Sequence, residues 1–133
     1  MRRVHVLMLA AALAGVSGCS GFGIGGCKTY AAPGLSIAIV DATSGKPIAS
    51  NATVQISEGS FVETLTIPGD TANDGFHASG AHERIGTYTV RVTKPGYVTW
   101  VRDDVRVQSG GCHVRTTELT ASLQRQTQST VAP

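Results

Sequence analysis

Charge and aromatic rings are both scarce in this chain. Only 15% of its 133 residues are Asp, Glu, Lys or Arg, 5% are aromatic, and there is one tryptophan. The signs nearly balance, 11 Lys plus Arg against 9 Asp plus Glu, and two of the cations, Arg2 and Arg3, stand at the extreme N-terminus. Without them the count is nine against nine. No basic stripe is left to argue for nucleic acid, and no polybasic tract to grip lipid electrostatically. There is no short Cys-x-x-Cys pair to hold a metal, and no apolar run outside the N-terminus approaches the roughly 20 residues of a spanning helix. The glycines of "GFGIGG" are not framed by a strand and a helix, which excludes a phosphate loop. What is present is a 41% apolar chain rich in Gly, Thr, Ser and Val. It is long enough for one domain and its composition favours strands and turns over helices.

The N-terminus reads as a targeting segment. Arg2 and Arg3 form a charged start, Val4 to Val16 an apolar stretch of export-signal length, and Ser17 and Gly18 a small-residue cleavage site. Val16-Ser17-Gly18-Cys19 resembles the bacterial lipobox, in which an aliphatic residue, two small residues and a cysteine are read by the lipoprotein-processing enzymes. The resemblance implies a diacylglyceryl group on the Cys19 sulfur, cleavage just before it, and acylation of the new amino group. Each buried methylene contributes about 0.8 kcal/mol, so two or three acyl chains would hold a small domain on a bilayer nearly permanently. Ser20, rather than an aspartate, follows the cysteine, which under the sorting rule of enteric bacteria implies the outer membrane.

If Cys19 carries lipid, Cys27 and Cys112 remain as an even pair in an oxidising compartment, and a Cys27 to Cys112 disulfide is expected. Between anchor and staple lies "SGFGIGG", Ser20 to Gly26. Seven residues reach about 25 Å when extended, so the domain is expected to sit close to its membrane.

From Gly34 the pattern alternates with period two. Leu35, Ile37 and Ile39 share one face, "DATSGKP" is a turn cluster, and Ala52, Val54 and Ile56 follow, which suggests a hairpin. Phe61, Glu63, Leu65 and Ile67 mark a partly exposed strand. Tyr88, Val90 and Val92 mark another, closed by "KPGY", where Pro95 and Gly96 suit a type II turn. "YVTWVRDDVRV" and "CHVRTTELTASL" supply the last strands, with a bulge expected near Thr117 and Glu118 to reconcile the parities of Val114 and Leu119. The polar tail from Gln124 to Pro133 has no period and is expected to fray.

Short strands at close spacing without an amphipathic helix argue for an all-β sandwich. "IVDATSGKPIASNATVQI", "GTYTVRVTKPGYVTW" and "CHVRTTELTASL" resemble the carboxypeptidase regulatory-like domains. That resemblance implies a seven-strand transthyretin-like (prealbumin-type, Ig-like) sandwich following the cleaved signal. It divides the chain into a signal peptide at 1–18, a lipidated cysteine and Gly-rich tether at 19–33, the sandwich at 34–123 and a tail at 124–133. An immunoglobulin-type sandwich is the competing fold. One enzymatic branch of the wider fold, hydroxyisourate hydrolase, ends in Tyr-Arg-Gly-Ser. This chain ends "STVAP", and that activity is not carried over.

His77 and His82, with Asp74 and Glu83 nearby, are the metal candidates, but a five-residue separation on a strand points them to opposite faces. "GDTANDG" lacks the ligand alternation of a calcium loop, and its Asp70, Asn73, Asp74 and Gly75 read as turn formers. The Asn51 sequon reads as accidental. Trp100 lies on the face opposite Val101, Val105 and Val107 unless Asp103 and Asp104 form a bulge, in which case it turns to the core, the preferred reading. An exposed Trp100 would suit a glycan-binding module.

The expectation is therefore a lipoprotein of the bacterial cell envelope, held in the outer membrane by acyl chains on Cys19 and facing the periplasm. Its stapled sandwich would be a non-catalytic binding or assembly module with an envelope-protein partner, no cofactor and no nucleic acid. The alternatives are a metal-binding or hydrolytic protein built on His77 and His82, and a glycan-binding module built on Trp100.

Overall fold

The computed structural model describes residues 26–127. The expected signal peptide, Cys19, the tether as far as residue 25 and the last six residues of the tail lie outside the described residues. Eight strands, rather than the expected seven, form two sheets. The strands are β1 (Leu35–Asp41), β2 (Thr53–Glu58), β3 (Phe61–Thr66), β4 (Ala78–Gly80), β5 (Gly86–Thr93), β6 (Trp100–Ser109), β7 (Val114–Arg115) and β8 (Thr117–Leu123). Their order is β4-β1-β8 in one sheet and β3-β2-β5-β6-β7 in the other. One 3-10 turn, Thr71–Asn73, is capped by Asp70, whose carboxylate accepts the Ala72 N–H at 2.9 Å. No helix among the described residues is long and apolar enough to cross a membrane.

Period-two alternation becomes burial. In β1 every odd residue from Leu35 to Asp41 is buried, and β2 and β5 send Val54, Ile56, Tyr88, Val90 and Val92 inward from the opposite sheet. Full burial of each such aliphatic side chain contributes about 1.5–3 kcal/mol, and Leu123, Ala121 and Val107 complete the same core. Strand β3 is an edge with a half-buried, half-exposed pattern, as its sequence suggested.

Three local expectations need correction. β1 and β2 are not a hairpin: after the turn at Asp41 to Gly45 the chain doubles back only as far as Ile48, whose N–H donates to the Ile39 carbonyl at 2.9 Å. It then buries Ala49 and Ala52 and enters the other sheet. Alternation specifies faces, not partners, and so could not tell these outcomes apart. The parity change after Val114 is a change of sheet. Thr116 sits between β7, paired with β6, and β8, which runs parallel to β1 through seven register pairs from Leu35 with Thr117 to Asp41 with Leu123. The start of the tail is also fixed, because Gln124 accepts the Val98 N–H at 2.8 Å and the Gln126 N–H donates to Gly96 at 2.9 Å.

Two turn and bulge readings hold. The Tyr97 N–H closes on the Lys94 carbonyl at 3.1 Å with Gly96 at φ 79, as a type II turn requires. Tyr88 pairs with Val105 but Val90 with Arg102, which leaves one extra residue in β6 at Asp103–Asp104, and Asp104 adopts φ 57. The bulge lets Trp100 and Val107 both face inward. Trp100 is half-buried against the core, whereas Val98 lies outside the strand and is 51% exposed.

The crossing point at the start of β1 and β8 is tight. A Cβ at Gly34 would stand 2.5 Å from the Ala81 carbonyl oxygen and 3.1 Å from Val107. Gly34→Ala should therefore destabilise the domain by about 1–3 kcal/mol, read as a lower midpoint in urea with an unchanged slope.

Candidate functional site

The strand directions give the sandwich two chemically different ends. The starts of β1, β5 and β8 and the turns joining β2 to β3 and β6 to β7 gather at one end, where Cys27 enters. The ends of β1, β5 and β8 and the turn joining β5 to β6 gather at the other. Seven strand residues separate them by about 23 Å.

At the first end Cys27 is bridged to Cys112 with a Cα–Cα distance of 5.3 Å. The bridge accounts for two of the three cysteines in the chain. Next to it, Glu83 joins three segments. Its carboxylate accepts the Ala32 N–H at 2.6 Å and the Val114 N–H at 3.3 Å, and lies 2.6 Å from His113 Nδ1. The Tyr30 ring stacks on His113, with centroids 4.7 Å apart. Those donors, led by the Ala32 amide, hold the Glu83 carboxyl below its usual pKa. A charged carboxylate only accepts, so Nδ1 carries the imidazole proton, and Nε2 is buried with no partner among the described residues. Glu83→Ala should speed hydrogen exchange at the Ala32 and Val114 amides by about tenfold. Because the shift is downward, the stability this clasp contributes is complete above the ordinary carboxylate range and drains away as pH falls from there through the lowered pKa of Glu83.

The second end is organised by Asp41, buried at 2% exposure. Oδ1 accepts the Thr43 N–H at 3.0 Å, the Ser44 N–H at 2.9 Å and the Ser44 hydroxyl at 3.1 Å; Oδ2 accepts the Tyr97 hydroxyl at 3.0 Å and Arg125 Nε at 2.9 Å. Donation from the Ser44 amide is the largest cause holding its carboxyl well below the usual range. Burial pushes the Tyr97 phenol up. Beside this hub, Asp74 accepts the Ser50 hydroxyl, and Lys94 Nζ donates to the Ser50 carbonyl. The Ser50 hydroxyl bond is also the main cause lowering the Asp74 pKa.

Over the hub opens a polar groove of about 430 Å³. Asn51, Thr53, Thr93, Lys94, Thr99 and Gln126 line it. Thr53 and Thr93 are register partners across β2 and β5 on the outward face. The walls offer hydroxyl and amide groups, and the one cation already serves Ser50. Such a surface can exchange hydrogen bonds with a polar partner but presents no nucleophile paired with a base.

The candidates from the sequence do not converge. His77 is exposed, with Nδ1 3.4 Å from the Ser36 hydroxyl, and His82 lies beyond the far end of β4. Among the described residues no three His, Cys, Asp or Glu side chains form a group able to hold a metal ion. The half-buried Trp100 withdraws the exposed ring that a glycan platform would need. Asp70, Asn73 and Asp74 are turn and capping residues, as expected. Glu83 and Asp41 were missed as organising residues; the only signal was Asp41 heading "DATSG", an acidic residue opening a Ser/Thr/Gly turn.

No protein-family model matches the chain, and no curated protein matches it. Among solved structures it is similar to a Bacteroides uniformis protein proposed to bind carbohydrate, with a TM-score of 0.46 and 17% identity over 69% of this chain and 42% of that one. It is also similar to a chain of a type II cohesin–X-dockerin complex from Acetivibrio cellulolyticus, with a TM-score of 0.42 and 19% identity over 68% of this chain and 55% of that one. The chain thus spans about half the length of the structures it resembles, and likeness at this level says nothing about what it binds.

Proposed function

We propose that this protein is a lipoprotein of the bacterial envelope, acylated at Cys19, whose disulfide-stapled sandwich is a non-catalytic binding or assembly module. The observation that carries the proposal is the Cys27–Cys112 bridge: with two of three cysteines consumed, Cys19 remains, and it is the residue that ends the lipobox-like Val16-Ser17-Gly18-Cys19. The polar groove at the opposite end from the staple is the surface offered to a partner. The outer membrane is the proposed site, from Ser20 after the cysteine, and a carboxypeptidase regulatory-like domain is the proposed family.

Metabolic labelling with a fatty acid tests the anchor directly. Wild-type protein should take up label and fractionate with membranes, and a Cys19→Ala version exported through a cleavable signal should do neither. A wild-type protein that is exported yet unlabelled would sink the proposal. For the module, gentle detergent extraction of the native protein should recover a stoichiometric envelope partner, and Thr93→Glu in the groove should release it. Recovery of no protein from either form would remove the assembly role.

A further inference from the structure

The covalent path from Cys19 to the sandwich is short and ends at one defined place. Ser20 to Gly26 spans at most about 25 Å, and Cys27 is pinned to Cys112 in the turn between β6 and β7. The end of the sandwich bearing that turn must therefore lie within that distance of whatever Cys19 is attached to. This end also carries two of the most exposed large apolar side chains of the domain, Tyr30 at 57% and Ile85 at 59% exposure. Three of its carboxylates are turned onto its own backbone: Glu58 accepts the Thr87 N–H at 2.6 Å, Glu63 the Ala81 N–H at 2.8 Å, and Glu83 the Ala32 N–H at 2.6 Å, whereas Glu118, near the start of β8, is exposed. Lys28 and His82 face solvent. Tyr30, Ile85 and Lys28 thus face outward, while Glu58, Glu63 and Glu83 are occupied from within.

We infer that this end seats on the headgroup region of a phospholipid bilayer, with Tyr30 and Ile85 entering the interface and Lys28 facing lipid phosphate; the inference rests on acylation of Cys19. An aromatic ring with a polar tip and an exposed aliphatic side chain at the same end suit the boundary between headgroup and acyl chain. Lys28, two residues before Tyr30, meets an anionic surface within a Debye length. The tether makes the seat effective because it holds the end at high local concentration against the surface. Seating fixes the axis of the sandwich, so the polar groove at the opposite end points away from the bilayer.

Hydroxyl-radical footprinting of the native lipidated protein in vesicles of phosphatidylethanolamine and phosphatidylglycerol tests this without altering any residue of the domain. Tyr30 is compared with Phe76, an aromatic side chain of similar exposure, 53%, nearer the other end. The reference is the Cys19→Ala protein free in solution. Oxidation of Tyr30 should fall severalfold in vesicles while that of Phe76 stays the same. Equal oxidation of Tyr30 in both states, with acyl mass present on the N-terminal peptide, would overturn the seat and leave the anchor standing. An N-terminal peptide without acyl mass would overturn both.

Discussion

Removing the Cys27–Cys112 bridge, by reductant or by replacing both cysteines with serine, should lower the melting temperature by on the order of 20 °C while leaving the strand signature of the folded protein intact. The bridge joins residues 85 apart in sequence, and closing a loop of that length in the unfolded chain contributes about 4–5 kcal/mol by the chain-entropy argument. For a domain of about 100 residues each kcal/mol moves the midpoint by about 4–8 °C. The folded state has little to lose directly: Cys27 precedes β1, Cys112 lies in a turn, and both are exposed. The loss is therefore an effect on the unfolded ensemble, and calorimetry with and without reductant measures it. An unchanged midpoint would show that noncovalent structure already restricts the unfolded chain as much as the crosslink does. Opening the bridge also lengthens the tether to Ala32, the first buried residue of the domain, raising its reach to about 40 Å. If Cys19 is acylated as proposed, membrane protection of Tyr30 should then fall although the lipid stays attached.

Asp41→Ala should lower the melting temperature by on the order of 10 °C, with Asp41→Asn intermediate. Five donors converge on this carboxylate. Alanine leaves the buried Tyr97 hydroxyl and the Ser44 amide without their acceptor, and a buried polar group left unpaired costs more than the bond it replaces was worth. Asparagine keeps an acceptor for the Thr43 and Ser44 amides and sacrifices the charged contact to Tyr97 and Arg125. Arg125 itself is 70% exposed, so Arg125→Ala should cost no more than about 1 kcal/mol. The hub also sets the acid limb of stability. A carboxyl whose pKa is lower folded than unfolded binds its proton first in the unfolded state, so its contribution is complete above about pH 4 and drains away as pH falls below that value. Denaturant titrations of wild type and Asp41→Asn at pH 7 and pH 3 check the sign: the gap between them should narrow at the lower pH. A gap that widens would contradict the charged-hub account.

Much of the core was legible in the chain because period two in a strand is a local property. Leu35, Ile37, Ile39, Val54, Ile56, Val90 and Val92 could be placed inward from spacing alone, and all are buried. The turn at Pro95–Gly96 and the bulge at Asp103–Asp104 were legible for the same reason: a positive φ at glycine and a parity conflict within one strand are read without knowing the neighbours. Strand pairing was not legible. The doubling back at Ile48, the sheet switch at Thr116 and the docking of Gln124 and Gln126 each depend on hydrogen bonds to residues distant in sequence. Nothing in the alternation of side chains encodes which backbone will accept them.

The same division runs through the candidate site. Residue types are dictated by the chain alone: Cys27 and Cys112 as an even pair, a lipobox-like run ending at Cys19, and few charged side chains. Folding is what keeps His77 and His82 apart, half-buries Trp100, sets Glu83 and Asp41 to hold opposite ends together, and puts the staple and the polar groove at those opposite ends. The reason is physical. Composition and short spacing fix what each side chain can do within a few residues of itself, whereas the meeting of β1 with β8 fixes which end of the domain each side chain occupies. That pairing joins residues about 80 apart and is a property of the folded whole.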